Sequence, residues 1–180
     1  MKRIARFEKV SYEQFKNDWL DTFKGSKYDE NNFLSEENIL KTYEEIKLPK
    51  RATSGSAGYD FFTPLSFELL PGETLKLPTG IRSYMEEGWV LKVYPRSGYG
   101  FKFRLQLNNT VGIIDKDYYD SDNEGHMFFK LTNDTNEHKI FNIEKGTAIT
   151  QGIFLEFGIT EDDCATEKRN GGMGSTTKKQ

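Results

Sequence analysis

Asn108-Asn109-Thr110-Val111-Gly112-Ile113-Ile114-Asp115-Lys116-Asp117-Tyr118 is the stretch around which the chain is organised. Its apolar run, Val111 to Ile114, is broken only by Gly112 and ends at once in two acids and an aromatic. A short β-branched run of this kind predicts a buried strand. The glycine allows close backbone approach. An acid at the end of a rigid strand is well placed to act as a base, because its position is fixed. Taken alone, the same residues also fit a strand entering an Asx-type turn, with Asp115 capping its own backbone.

Strand signals continue on both sides. Phe67 to Leu70, Thr74 to Leu77, Gly80 to Tyr84 and Trp89 to Tyr94 are short apolar segments separated by Pro71-Gly72 and Glu86-Glu87-Gly88 turns. Further strands are predicted at Met127 to Leu131, His138 to Ile143 and Thr147 to Phe157. Closely spaced strands with such turns predict an all-β sandwich or barrel. The N-terminal part differs. After a first strand at Ile4 to Val10, Ser11-Tyr12-Glu13-Gln14 reads as a capping box. Phe15, Trp19 and Phe23 then follow at helical spacing up to Gly25. A second helix is predicted from Ser35, ended by Pro49. The aromatic stripe of the first helix suits packing on its own domain better than a partner surface.

The bulk numbers bound the rest. The chain has 180 residues, which predicts one domain. Its net charge of −3 argues against a general nucleic-acid binder. The single cysteine, Cys164, forbids an intramolecular disulfide and fits a reducing compartment. No secretory or membrane-spanning run is present in the sequence, so the expectation is a soluble cytoplasmic protein without a membrane partner.

Three further groups carry chemistry. Arg96-Ser97-Gly98 offers a guanidinium, a hydroxyl and a backbone N–H, a set that suits phosphate oxygens, although it also fits a plain turn. Arg169 with Gly171, Gly172, Gly174, Ser175 and Thr176 is a second phosphate-like cradle, or a plain Gly/Ser tail. Asp60, Asp115 and Asp117 lie at predicted strand ends near small residues. Mg²⁺ usually arrives with substrate phosphates and is held by one or two carboxylates, so phosphate cradles plus a few acids suggest a nucleotide polyphosphate and a metal. His126, in the acidic turn 120–126, is expected to be exposed, and neither histidine has metal spacing with Cys164.

These elements stand in an order that resembles the trimeric dUTPase family (dUTP diphosphatases), of a phage or bacterial type with an inserted N-terminal helical pair. The matching segments are Ala57 to Phe61, Pro95 to Gly98, Asn109 to Tyr118, more weakly Gly146 to Gln151, and Arg169 with Gly171 to Thr176. The resemblance covers residues 47–177. It implies a mainly β, distorted jelly-roll barrel, residues 1–167, carrying a helical insertion at 11–46. Residues 168–180 would be a flexible arm closing a neighbouring subunit's site. It also implies a homotrimer with shared sites that hydrolyses dUTP to dUMP and pyrophosphate with Mg²⁺. Asp115 would activate water for attack on the α-phosphorus. Asn109 and the 110–114 hairpin, with Gly112 and Ile114, would read uracil, and Tyr118 would lie under the deoxyribose. Arg96, Ser97 and Gly98 would bind phosphates. Gln151 and Asp60 would help hold the phosphate–Mg²⁺ cluster, Asp60 through water. Arg169, Ser175 and Thr176 would close over the γ-phosphate, with Gly174 beside them.

The sequence departs from the family pattern in places. Met173 stands where the family has an aromatic over the uracil; a thioether can also cover a ring face. Arg169 is one residue closer to its glycines than usual. Ala148 and Ile149 occupy places where an arginine is common. The insertion at 11–46 and the turn 120–126 motivate an alternative, a dUTPase-like regulatory protein that binds a protein partner there. The related dCTP deaminases need a glutamate where this chain has Lys130, and Lys cannot serve as that acid/base.

Overall fold

The computed structural model describes residues 2–167, 169 and 171. Residues 168, 170 and 172–180 lie outside this description, so the expectations for Met173, Gly174, Ser175 and Thr176 fall outside it as well.

The chain is mainly β and of jelly-roll type. In order it forms β1 (Ala5–Lys9), α1 (Tyr12–Phe23), α2 (Glu36–Glu44), β2 (Lys50–Arg51), β3 (Tyr59–Phe62), β4 (Phe67–Leu69), β5 (Thr74–Pro78) and β6 (Ile81–Met85). There follow β7 (Trp89–Pro95), α3 (Ser97–Phe103), β8 (Leu105–Leu107), β9 (Gly112–Ile114), a 3₁₀ turn (Lys116–Asp120), β10 (Phe128–Asn133), β11 (Phe141–Ile143) and β12 (Ala148–Glu156). The main sheet has the order β2-β3-β12-β7-β9, and a second runs β5-β10-β8. Two pairs, β1-β6 and β11-β4, complete it. Every pairing is antiparallel. Alternation fills the space between the layers: in β5, Leu75 and Leu77 are buried while Thr74 and Lys76 are exposed.

The two helices sit between β1 and β2, as predicted. Phe15, Trp19 and Phe23 are all buried in the common core, so the stripe faces inward. Ser11 caps α1 by accepting from the Gln14 N–H at 3.2 Å. The return bond of the expected capping box is different. The Ser11 N–H donates to Glu124, 2.7 Å away, and Gln14 turns to Asp18 instead. The second helix ends at Glu44, before Pro49 could act, where Lys9 Nζ donates to the carbonyls of Tyr43 and Glu44. An ammonium on the last carbonyls adds a donor where the helix runs out of its own, beside the Ile46 N–H that also reaches Tyr43. Among the described residues no helix is long and apolar enough to cross a membrane.

Three strand-level expectations change. The run at 112–114 is an edge strand rather than a buried one: Ile113 is 59% exposed, while Gly112 and Ile114 are half-buried. The supposed 110–114 hairpin is a link between sheets, because β8 pairs with β10 and β9 pairs with β7. It is turned by Thr110, at φ 66°, whose N–H bonds the Leu107 carbonyl. The segment after Pro95 is not a plain turn but the short helix α3.

Candidate active site

The predicted residues form two groups on the main sheet. The first lies where β3, β12 and β7 meet. Asp60 stands opposite Gln151, and Gln151 opposite Tyr94, in the strand register. The Asp60 carboxylate is 3.2 Å from Arg96 Nε. Arg96 Nη1 also reaches the Ala148 carbonyl at 3.4 Å, and Gln151 Nε2 donates to the Pro95 carbonyl at 3.3 Å. Arg96 is the N-cap position of α3, so Ser97 and Gly98 lie in its first turn. First-turn amides have no partner within their own helix. A half-exposed guanidinium, a hydroxyl and these amides thus stand within three consecutive residues, and an anion suits all three.

The second group is the stretch 109–118. Asn109, Gly112, Ile114 and Tyr118 line a cavity of 340 Å³, together with Phe128, Phe129 and Arg169. That is near the lower end of the usual range for small-molecule sites. Gly112 faces Val93 on β7, where an added Cβ would come within 3.3 Å. Asp115 stands at the N-cap position of the 3₁₀ turn at the end of β9, but its side chain makes no capping bond there. Its side chain is 49% exposed and accepts from Arg169 Nη2 at 2.5 Å. Arg169 Nε donates to Asp117 at 3.0 Å, and its guanidinium carbon stands 5.6 Å from the centre of the Tyr118 ring. The arm's arginine therefore lies on Asp115 of its own chain, whereas the sequence suggested a neighbour's γ-phosphate as its place.

Tyr118 is 3% exposed. Its hydroxyl donates to the His126 carbonyl at 2.6 Å and accepts from Asn123 Nδ2 at 2.9 Å. Burial pushes this phenol's pKa up, opposed by the Asn123 bond, so it stays neutral and acts as a wall. Neither Asp117, as partner of Arg169, nor Phe128, as a cavity wall, was assigned a place in the site from sequence. Phe128 has no motif; only its position at the start of a strand beside the 109–118 loop in space reveals it. His126 reverses expectation: it is fully buried, sandwiched by hydrogen bonds rather than exposed in a turn.

The two groups are far apart within one chain. Asp115 follows Ile114, which pairs with Leu91, so it lies abreast of Val90 near the start of β7. Arg96 lies just past its other end. From position 90 to 96 an extended strand covers about 20 Å at ~3.3 Å per residue. Among the described residues, no three His, Cys, Asp or Glu side chains converge to hold a metal by themselves.

Comparison with known proteins places this geometry in context. The family model described as dUTPase matches residues 44–177. A deoxyuridine 5'-triphosphate nucleotidohydrolase of Lactococcus lactis is 47% identical over 134 residues, covering 73% of this chain and 88% of that protein. The solved structure of a dUTPase from Streptococcus mutans matches with a TM-score of 0.59 at 31% identity, over 86% of this chain and 98% of that one. A mutant dUTPase from phage phi11 of S. aureus, whose structure describes coordination of a structural Mg(II) ion, shares the fold. Its TM-score is 0.55 at 21% identity, over 69% of this chain and 92% of that one.

Proposed function

This chain belongs to the dUTPase family and hydrolyses dUTP to dUMP, and we propose that it does so with Asp115 as the base that activates water. The carboxylate takes a proton from water while the water oxygen attacks the α-phosphorus. The bond from that phosphorus to the bridging oxygen breaks, and pyrophosphate leaves. The observation that carries this assignment is the position of Asp115. It stands at the end of β9, one hydrogen bond through Arg169 from the cavity that the 109–118 stretch encloses. A base must reach its water directly, which Asp115 does once Arg169 leaves it for the substrate's phosphates.

The other roles follow from chemistry at each place. Asn109 and the main chain of residues 110–114 read the uracil edge, with Gly112 and Ile114 shaping the floor. Tyr118 lies under the deoxyribose and leaves no room for a 2′-hydroxyl. Arg96, the Ser97 hydroxyl and the Gly98 amide bind phosphate oxygens. Mg²⁺ arriving with the phosphates would supply charge neutralisation there. Asp60, beside Gln151, suits it as a single carboxylate acting through water, because such an ion keeps several waters and phosphate oxygens as ligands. Arg169 exchanges Asp115 for the γ-phosphate, with Gly174, Ser175 and Thr176 beside it and Met173 over the uracil.

The site is shared between copies of the chain in a homotrimer. The support is the distance of about 20 Å between Asp115 and Arg96, since water and phosphate must meet within ~3.5 Å for reaction. The lone, exposed Cys164 accords with a reducing cytoplasm. The test is pyrophosphate release from dUTP, dCTP, dTTP and UTP with Mg²⁺, wild type against Asp115→Asn. Release from dUTP that does not depend on Asp115 would sink the assignment.

A further inference from the structure

The helical insertion has no role in the chemistry above, yet it is tied to the cavity wall by a chain of buried and partly buried hydrogen bonds. His126 is fully buried. Its Nε2 accepts from the Gly80 N–H at 2.8 Å, and its Nδ1 faces the Asp18 carboxylate of α1 at 2.5 Å. A neutral imidazole has one donor and one acceptor nitrogen. The Gly80 bond makes Nε2 the acceptor, so the proton is on Nδ1 and is donated to Asp18. Gln14 adds a second donor to the same carboxylate at 2.8 Å.

His126 then acts in two directions. Its carbonyl takes the Tyr118 hydroxyl, with Asn123 bridging both. Its ring lies 4.5 Å from the Phe128 ring, centre to centre. Tyr118 and Phe128 are both walls of the 340 Å³ cavity. A second tie runs outside: Glu124, in the same loop, accepts from both the Ser11 N–H and hydroxyl at the start of α1. Helix α1 thus grips the 118–128 segment at Ser11 and at Asp18.

We infer that Asp18 and His126 are positioning residues, through which the inserted helix α1 sets the Tyr118 and Phe128 walls and hence the exclusion of ribonucleotides. This rests on the reading of Tyr118 as the residue under the deoxyribose. Asp18→Ala leaves a buried N–H without its acceptor and frees the His126 ring. Asp18→Asn keeps an oxygen acceptor for Nδ1–H.

The experiment measures kcat and KM for dUTP and UTP, with melting temperature, in Asp18→Ala, Asp18→Asn, Glu124→Ala and Tyr118→Ala. For Asp18→Ala the dUTP:UTP ratio of kcat/KM is expected to fall about tenfold. Its KM for dUTP should rise, with kcat changed less than about threefold. Asp18→Asn should recover most of the ratio, and Glu124→Ala should show a smaller fall in the same direction. A helix that merely stabilised the fold would lower the melting temperature and leave the ratio alone. If Tyr118→Ala lowers the ratio while folded Asp18→Ala and Glu124→Ala keep the wild-type value, the positioning role is overturned and the Tyr118 assignment stands. If Tyr118→Ala leaves the ratio unchanged, the assignment of Tyr118 fails and the inference falls with it. Should Asp18→Ala not fold, Glu124→Ala decides, and an unchanged ratio there overturns the proposal.

Discussion

The inserted helices and the site charges are built on opposite plans. Phe15, Trp19 and Phe23 are almost wholly removed from water and pack ring on ring, Trp19 to Phe23 at 4.7 Å. Asp115 and Asp117 keep 49% and 54% of their side chains exposed, and both hang on one arginine. The first region has contacts it can lose only by unfolding. The second has contacts that a polyphosphate can take over, because Arg169 meets phosphate as readily as carboxylate. Changes in the second region should therefore move turnover and leave stability, and changes in this aromatic stripe should do the reverse.

Asp115→Asn is the sharpest test of that contrast. Loss of a general base costs on the order of 10³-fold in kcat, with little change in melting temperature, as read by steady-state assay beside calorimetry. Phe23→Ala should invert the pattern. Removing a buried aromatic costs ~3 kcal/mol of stability, measured by denaturant unfolding, while kcat of the folded enzyme holds. A comparable loss of turnover in Phe23→Ala would break the division between the regions.

Gly125→Ala probes the border between them. Gly125 has φ 70°, and a Cβ there would lie 2.8 Å from both the Tyr118 carbonyl oxygen and Tyr119 Cα, which as backbone cannot swing aside. The expected cost is about 2 kcal/mol, with a raised KM because the strain bears on Tyr118. The smallest effect belongs to the far side of the same loop. Glu8 is held down at about 2 from an ordinary 4.5, first by the Tyr119 hydroxyl and then by Arg6. A depressed carboxylate stabilises the fold above its unfolded value, and that contribution fades as pH falls from about 4.5 towards 2. Tyr119→Phe should thus cost ~1 kcal/mol at pH 7 and much less near pH 2, a difference that urea titrations at the two pH values would show.

Local chemistry was legible in the sequence, and contacts between distant residues were not. Pro71-Gly72 and Glu87-Gly88 mark real turns, and Ser11 does cap α1. What completes that cap is Glu124, 113 positions away, which no local pattern announces. His126 was misread for the same reason. The residues just before it are acidic and polar, but its neighbours in space are Asp18, Gly80 and Phe15. The 109–118 stretch reads in sequence as one unit, yet β9 within it and β8 just before it join different sheets, since register depends on partners elsewhere. Arg96, Asp60 and Gln151 were gathered by motif order, and the register of β3, β12 and β7 does bring them together.

The length of β7 has a consequence that can be put in genetic terms. Asp115 and Arg96 flank opposite ends of one strand, so in the proposed homotrimer a complete site would draw them from different copies. Chains carrying Asp115→Asn and chains carrying Arg96→Ala would each be inert when purified alone. Unfolded together and reassembled, they should complement each other, because some sites then receive an intact base from one parent and an intact phosphate clamp from the other.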